Sequence, residues 1–291
     1  MGCSSSALPG AAAAAAPALE PEPATVPAGS VGAADAAPAR HVTTIMYDFE
    51  SLEEGRAWYE HFVSGADDGF GETAGAPGCL ACVLYRHADS ETPTKYGFYE
   101  EWDRAESQTA YTKQRSATGF LARWLGLDLS LSPPRMTKLR EEGGISVQQG
   151  TLVASSVRGG ASAPGVGERL CRTVGLYFCE AADRDAFLEW YMTSEDGYKA
   201  ACEADGCLVQ KIYTQSATAA GWAPPSDHAP GFAGFYSEWE SRAQLDAYTA
   251  ARRGGSIGGT FMGMDAEGVC HKLQGGKPRI DDFILAQTSG V

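Results

Sequence analysis

Two short segments hold the residues whose types could do chemistry. "GFYEEWDRAESQTAY" begins at Gly97 and "GFYSEWESRAQLDAY" begins at Gly234. In each, a carboxylate stands directly before a tryptophan: Glu101 before Trp102, and Glu238 before Trp239. Their neighbours are apolar. A carboxylate in such surroundings has its pKa raised by desolvation and can take a proton from a phenol or an enol. The alternative is a strand-end Glu at the surface or one that caps an amide, because buried Glu is rare unless paired. Tyr99, Tyr236, Tyr111 and Tyr248 can each donate a hydrogen bond to a developing oxyanion, or can serve as amphipathic edges of a core. Trp102 and Trp239 can wall an aromatic pocket. So can Trp58 and Trp190, each followed by Tyr. Large aromatics are nonetheless most often core residues. His61 has the side chain that shuttles protons near neutral pH, but the chain aligns with itself as two copies, described below, and the matching position of the second copy carries Thr193, which favours a solvated helix residue.

Other chemistries find no pattern here. There is no Ser-His-Asp order, no P-loop, no GxGxxG after a strand and no His/Cys cluster. "GGSIGGTFMG" from Gly254 lacks the lysine and spacing of a phosphate loop and reads as a loop. "CLAC" from Cys79 is a lone CxxC in a β-like run, where residues three apart point to opposite faces, so no metal is expected. The eight cysteines are scattered through the chain, which fits free thiols in a reducing compartment.

The elements that must position these residues recur twice. "DDGFGETAGAPGCLACVLY" from Asp67 aligns with "EDGYKAACEADGCLVQKIY" from Glu195, and Trp58-Tyr59 aligns with Trp190-Tyr191. "MTKL" from Met136 resembles "CHKL" from Cys270, and "TLVASS" from Thr151 resembles "FILAQT" from Phe283. The second copy adds a Pro/Gly-rich loop, "AAGWAPPSDHAPG". These matches place one repeat over 41–158, a linker over 159–170 and a second repeat over 171–291.

Within a repeat, "HVTTIMYDF" alternates as a strand. "SLEEGRAWYEHFV" reads as a helix opened by Ser51 and Glu54, with Leu52, Trp58, Tyr59, Phe62 and Val63 toward one side. "CLACVLYRH" and "KYGFYEEW" read as strands. A helix then opens at Asp103 with Glu106, matched by Ser241 with Gln244. It runs on through "FLARWLG" to Gly126. One or two strands close the unit. The order is β-α-β-β-α-β, a ferredoxin-like arrangement. Leu80, Cys82 and Leu84 on one face, and Val83 and Tyr85 on the other, leave no polar face, so the sheet must be covered twice. The second repeat's sheet is the available cover, which predicts an α+β fold: two repeats packed sheet to sheet as a pseudo-dimeric α/β barrel.

With these residues in hand, the chain resembles the dimeric α/β-barrel superfamily, and within it the antibiotic biosynthesis monooxygenase (ABM) domain. The resemblance rests on "PGCLACVLYR" from Pro77 and "GFYEEWDRAESQTAY", with "DGCLVQKIYT" and "GFYSEWESRAQLDAY" in the second repeat. It implies a small barrel holding a hydrophobic, ring-bearing ligand between sheet and helices. Relatives include enzymes that oxidise quinol-like substrates with O₂ and no cofactor, and others that degrade haem; fold alone does not choose among them. Many carry a His on the helix after Glu-x-Trp. Here Tyr111 and Tyr248 stand nearest that position, so no haem ligand and no cofactor are expected. Two functions remain open: a cofactor-independent monooxygenase, with Glu101, Glu238, Tyr111, Tyr248 or His61 moving protons, and a non-catalytic binding or interaction module. For both, Tyr99, Trp102, Tyr236, Trp239, Trp58 and Trp190 are the candidate ligand contacts.

The bulk numbers bound the partners. A net charge of −14 over 291 residues repels phosphate backbones, so nucleic acid is not expected as a partner. No run reaches the ~18 apolar residues of a membrane span. The chain opens "MGCSSS", with Gly2 and Ser6 placed for myristoylation and Cys3 beside them for a second acyl chain. Residues 1–40 read as a disordered tether of Ala, Pro and Gly, holding the barrel at the cytoplasmic face of a membrane. Cytoplasm or plastid are the alternatives. An arginine-rich transit peptide fits less well, since the first basic residue is Arg40.

Overall fold

A computed structural model describes residues 39–64, 69–88, 94–117, 145–158, 167–215, 231–252 and 262–289. Residues 1–38 of the segment read as a tether, the run through "FLARWLG", the inserted loop of the second repeat and most of "GGSIGGTFMG" lie outside them. Eight strands form a closed antiparallel barrel. The first half contains β1 (His41–Asp48), α1 (Leu52–Ser64), α2 (Gly69–Ala74), β2 (Cys79–His87), β3 (Lys95–Trp102), α3 (Ala105–Ala117) and β4 (Ile145–Val157). The second contains β5 (Leu170–Phe178), α4 (Ala181–Thr193), α5 (Tyr198–Glu203), β6 (Cys207–Gln215), β7 (Gly231–Trp239), α6 (Arg242–Arg252) and β8 (Arg279–Ser289). The expected β-α-β-β-α-β order recurs, with one additional six-residue helix, α2 or α5, before the second strand of each half.

The strand order is β1-β3-β2-β8-β5-β7-β6-β4. The last strand of each half therefore pairs with the second strand of the other, β8 with β2 and β4 with β6. This exchange closes the barrel and leaves no free sheet edge. Facing strands register alike: His41 lies opposite Trp102, and Leu170 opposite Trp239.

Each second strand carries a bulge at the same place. Cys79 pairs with Trp102 and Ala81 with Glu101, so Leu80 is the extra residue; Leu208 is its counterpart. The bulge corrects two expectations. Cys79 and Cys82 do not face apart: both pack into the outer apolar layer of the first half. Leu80 does not join Cys82 and Leu84 on a buried face; it is 40 % exposed. A bulge adds one residue and so resets the side-chain alternation that places i and i+3 on opposite faces.

Burial then sorts into three layers. The barrel interior holds Val83, Tyr85, Tyr99, Val209, Tyr213 and Tyr236, drawn from both halves. Tyr99 and Tyr236 stack across the centre at 4.6 Å between rings. The motif glycines make room for this packing: a Cβ on Gly97 would lie 2.2 Å from the Tyr85 ring, and one on Gly234 2.3 Å from Tyr213. Outside the barrel, Trp58 of α1 and Phe70 of α2 pack with Tyr96 and Phe98 of β3. In the second half, Leu176, Phe178, Phe187, Tyr191 and Phe235 form the corresponding layer. Of the side expected of α1, Trp58 is buried and Tyr59 half-buried, but Leu52 is 41 % exposed because it opens the helix.

Candidate functional site

Alternation along β3 and β7 sends Tyr99, Glu101, Tyr236 and Glu238 into the barrel, and Glu100, Trp102, Ser237 and Trp239 toward the helices. Both inward carboxylates are almost wholly buried. Each is held by the same pattern. Tyr99 donates its hydroxyl to Glu101 Oε1 at 2.9 Å, and Arg40 donates to Oε2 at 2.9 Å. Tyr236 donates to Glu238 Oε1 at 2.9 Å, and Arg169 donates to Oε2 at 3.1 Å. Glu101 has a further partner in Lys211 Nζ, which also lies 5.1 Å over the Tyr99 ring. Lys211 comes from β6, so this buried ion pair links the two halves.

The raised pKa expected of Glu101 is not found. Burial pushes its carboxyl up, but Lys211, Arg40 and Tyr99 outweigh that and hold it below the ordinary carboxylate range. A carboxylate so engaged is a weak base with its lone pairs occupied. Tyr99 and Tyr236 point to the same interior and spend their hydroxyls on the carboxylates, and burial raises the pKa of both.

The carboxylate with a raised pKa is the neighbour, Glu100. It is 6 % exposed and faces the helical layer of the first half. Trp102 Nε1 donates to it at 3.0 Å. Burial lifts its pKa to about 7 against the partial opposition of that hydrogen bond. Tyr111 lies in the same layer, 5.3 Å from the Trp102 ring, with its hydroxyl 2.6 Å from Thr73 Oγ1. The register makes Ser237 the counterpart of Glu100, and Trp239 Nε1 donates to Ser237 Oγ at 2.9 Å. Sequence reasoning passed over Glu100 because two adjacent glutamates leave open which one faces which layer; the parity of the strand decides it.

In the second half the same layer opens into a cavity of about 350 Å³ between the sheet and helices α4 and α6. Its walls are aromatic and aliphatic: Phe187, Tyr191, Phe235, Trp239 and Tyr248, with Val174, Leu176 and Leu245. Trp239 and Tyr248 contact at 4.8 Å, and Arg252 covers the Tyr248 ring at 5.1 Å. Met264 and Ile280, both exposed apolar residues, stand among its lining. The polar groups are few. Arg172 forms a two-pronged pair with Asp282 at 2.6 and 2.9 Å and donates to Thr249 Oγ1 at 2.6 Å. Arg242 also donates to Asp282. Burial raises the Asp282 carboxyl, but these two guanidiniums hold it below its ordinary pKa. Gln210 and Ser237 complete the floor. Such a volume, mostly apolar with a few fixed polar groups, is the form that small-molecule sites take.

Of the expected site residues, Trp239 and Tyr248 line this cavity. Trp102 and Tyr111 occupy the corresponding layer of the first half. Trp58 packs among Tyr47, Phe49, Tyr96 and Phe98, and Trp190 against Phe187 and Tyr191; neither lines the cavity. His61 belongs to α1, and its side chain is outside the described residues. Arg172, Asp282, Gln210 and Lys211 were not singled out in the sequence, because their roles depend on which face of a strand they occupy. Among the described residues, no group of three or more His, Cys, Asp or Glu could hold a metal.

The closed barrel with helices on its outer faces is the α+β barrel fold expected from the repeats. Two solved structures share it. An anthrone oxidase-like protein superposes with a TM-score of 0.56 at 13 % identity, over 86 % of this chain and 93 % of its own. A protein of Fusobacterium nucleatum subsp. nucleatum, described provisionally as a monooxygenase, gives 0.54 at 7 % identity, over 86 % and 94 %. At these identities the likeness establishes the fold. No protein-family model matches the chain, and no curated protein matches it in sequence.

Proposed function

We propose that this protein binds a small hydrophobic aromatic ligand in the outer cavity of its second half. The observation that carries the proposal is the cavity itself: about 350 Å³, walled by Phe187, Tyr191, Phe235, Trp239 and Tyr248. Planar rings stack on such walls, and their burial supplies most of the affinity. Both halves of the barrel come from one chain, so this reading needs no second copy. Titration with neutral two- and three-ring aromatics, followed by quenching of tryptophan fluorescence, tests it. Saturable binding in the micromolar range is expected; no binding by any member of the panel would overturn it.

A second reading, oxidation of the same class of ligand by O₂, is favoured by Glu100. Glu100 does not line the second-half cavity, so this reading places the reacting ring against the helical layer of the first half, where a carboxyl with its pKa pushed up to about 7 would take a proton from an activated ring CH₂. The resulting carbanion is oxidised by O₂; one oxygen atom enters as a carbonyl and the other leaves as water. Oxygen uptake with quinols and anthrones should then rise as pH passes through about 7, and Glu100→Gln should lower it by about 10²-fold or more. Uptake unchanged in that variant would remove Glu100 from the chemistry.

The N-terminal segment enters this proposal as a tether, acylated at Gly2 and Cys3 and holding the barrel at the cytoplasmic face of a membrane. The support is the MGCSSS motif. Gly2→Ala should release the protein from the membrane fraction; a protein found in the cytosol with or without that change would contradict it.

A further inference from the structure

Gln210 is the polar residue of the cavity with nothing to do. It is 5 % exposed, on β6, and lines the cavity beside Ser237 and Arg172. Its backbone carbonyl accepts from Tyr198, but its side-chain amide makes no hydrogen bond among the described residues. The other polar groups nearby are occupied. Arg172 is paired with Asp282 and Thr249, Ser237 Oγ accepts from Trp239, and Arg252 donates to the carbonyls of Asp196 and Gly197. The amide opens onto the cavity with its donors and acceptor unspent on protein groups, so a ligand oxygen that enters can pair with it directly. The counterpart of Gln210 in the first half is Cys82, packed into an apolar cluster, so the barrel itself does not require an amide at this place.

Resting on the proposed aromatic-binding site, we infer that Gln210 is its specificity-determining group, and that the ligand is a neutral planar aromatic bearing a carbonyl or hydroxyl on one edge. The amide offers N–H donors to a carbonyl and an oxygen acceptor to a hydroxyl. It offers no charge; Arg172 is neutralised by Asp282, and Arg252, which keeps its charge, already donates to the carbonyls of Asp196 and Gly197, so an entering carboxylate or phosphate would compete with those carbonyls. A hydrocarbon of the same shape would fill the cavity but leave the amide unpaired. Sites built to hydrogen-bond a ligand oxygen discriminate against analogues that lack it, because the buried group is then stranded.

The test uses one ring system: fluorene, 9-fluorenone and 9-fluorenone-2-carboxylate, titrated into the full chain and into Gln210→Met, which conserves volume. The full chain should bind fluorenone about fivefold to tenfold more tightly than fluorene and should bind the carboxylate most weakly. Gln210→Met should erase the preference for fluorenone while leaving fluorene binding unchanged or tighter. If fluorene and fluorenone bind the full chain equally, or if the preference survives in Gln210→Met, the role of Gln210 is overturned while the aromatic site stands. If none of the three binds, the aromatic site falls, and this inference with it. The wild-type series decides the preference by itself should Gln210→Met fail to fold.

Discussion

Two adjacent carboxylates on β3 behave in opposite ways, and the difference is set by which face of the strand each occupies. Glu101 is a structural anion. Removing its charge strands Lys211 in the barrel interior, and breaking a buried pair from one side costs about 3–5 kcal/mol. Glu101→Gln should therefore lower stability by roughly that amount, measured by chemical denaturation, and adding Lys211→Met should restore most of it. Additive losses in the double variant would contradict the pairing. Glu100 is the reverse case. Its folded pKa of about 7 exceeds the ordinary 4.5, so the folded protein binds more protons than the unfolded chain between those values. Stability should fall as pH rises through that window and level off above it. Relative to wild type, Glu100→Gln should gain up to about 3 kcal/mol between pH 4.5 and pH 7. A constant gap across that range would show Glu100 to be ordinary. The sequence suggested a raised pKa for Glu101, the carboxylate before Trp102, whereas burial raises that of its neighbour Glu100, since composition is silent on strand parity.

The strands and helices were largely legible because each leaves a periodic trace. The recurrence of Gly-Phe-Tyr-x-Glu-Trp announced a core strand in both halves, and Ser241 with Gln244 marked a helix start that the structure bears out: the backbone N–H of Gln244 donates to Ser241 Oγ at 3.3 Å. Two features left no such trace. The short helices α2 and α5 are under two turns long, too short for periodicity to show. The bulges at Leu80 and Leu208 add a single residue, visible only once the facing strand is aligned. The shared glycines have a reason that the repeat alone could not supply. Ala in place of a strand glycine is ordinarily favourable, yet a Cβ at Gly97 would meet the Tyr85 ring at 2.2 Å and Met46 Sδ at 2.6 Å. Gly97→Ala should accordingly destabilise by about 1–3 kcal/mol, read from the thermal midpoint. A neutral or stabilising effect would contradict the packing of the interior tyrosines.

At the scale of the molecule, the two halves share a scaffold, and the described outer cavity belongs to the second. Exchange of β4 and β8 closes one barrel whose interior is packed with tyrosines and paired charges and leaves a pocket of about 50 Å³ beside Tyr85 and Tyr213, smaller than the outer cavity of the second half. The sequence foretold the barrel because two-faced apolar strands demanded a second cover. It did not foretell the cavity, which depends on how Phe187, Tyr191 and Tyr248 from separate helices meet over β7. The central claim is that a flat aromatic ligand enters this space. The most direct measurement is fluorenone affinity in Val174→Phe, which places a ring in the cavity from a half-buried wall position. Binding weakened by about tenfold or more, with the thermal midpoint held within a few degrees, is the predicted result. Unchanged affinity would contradict the claim and put the ligand elsewhere.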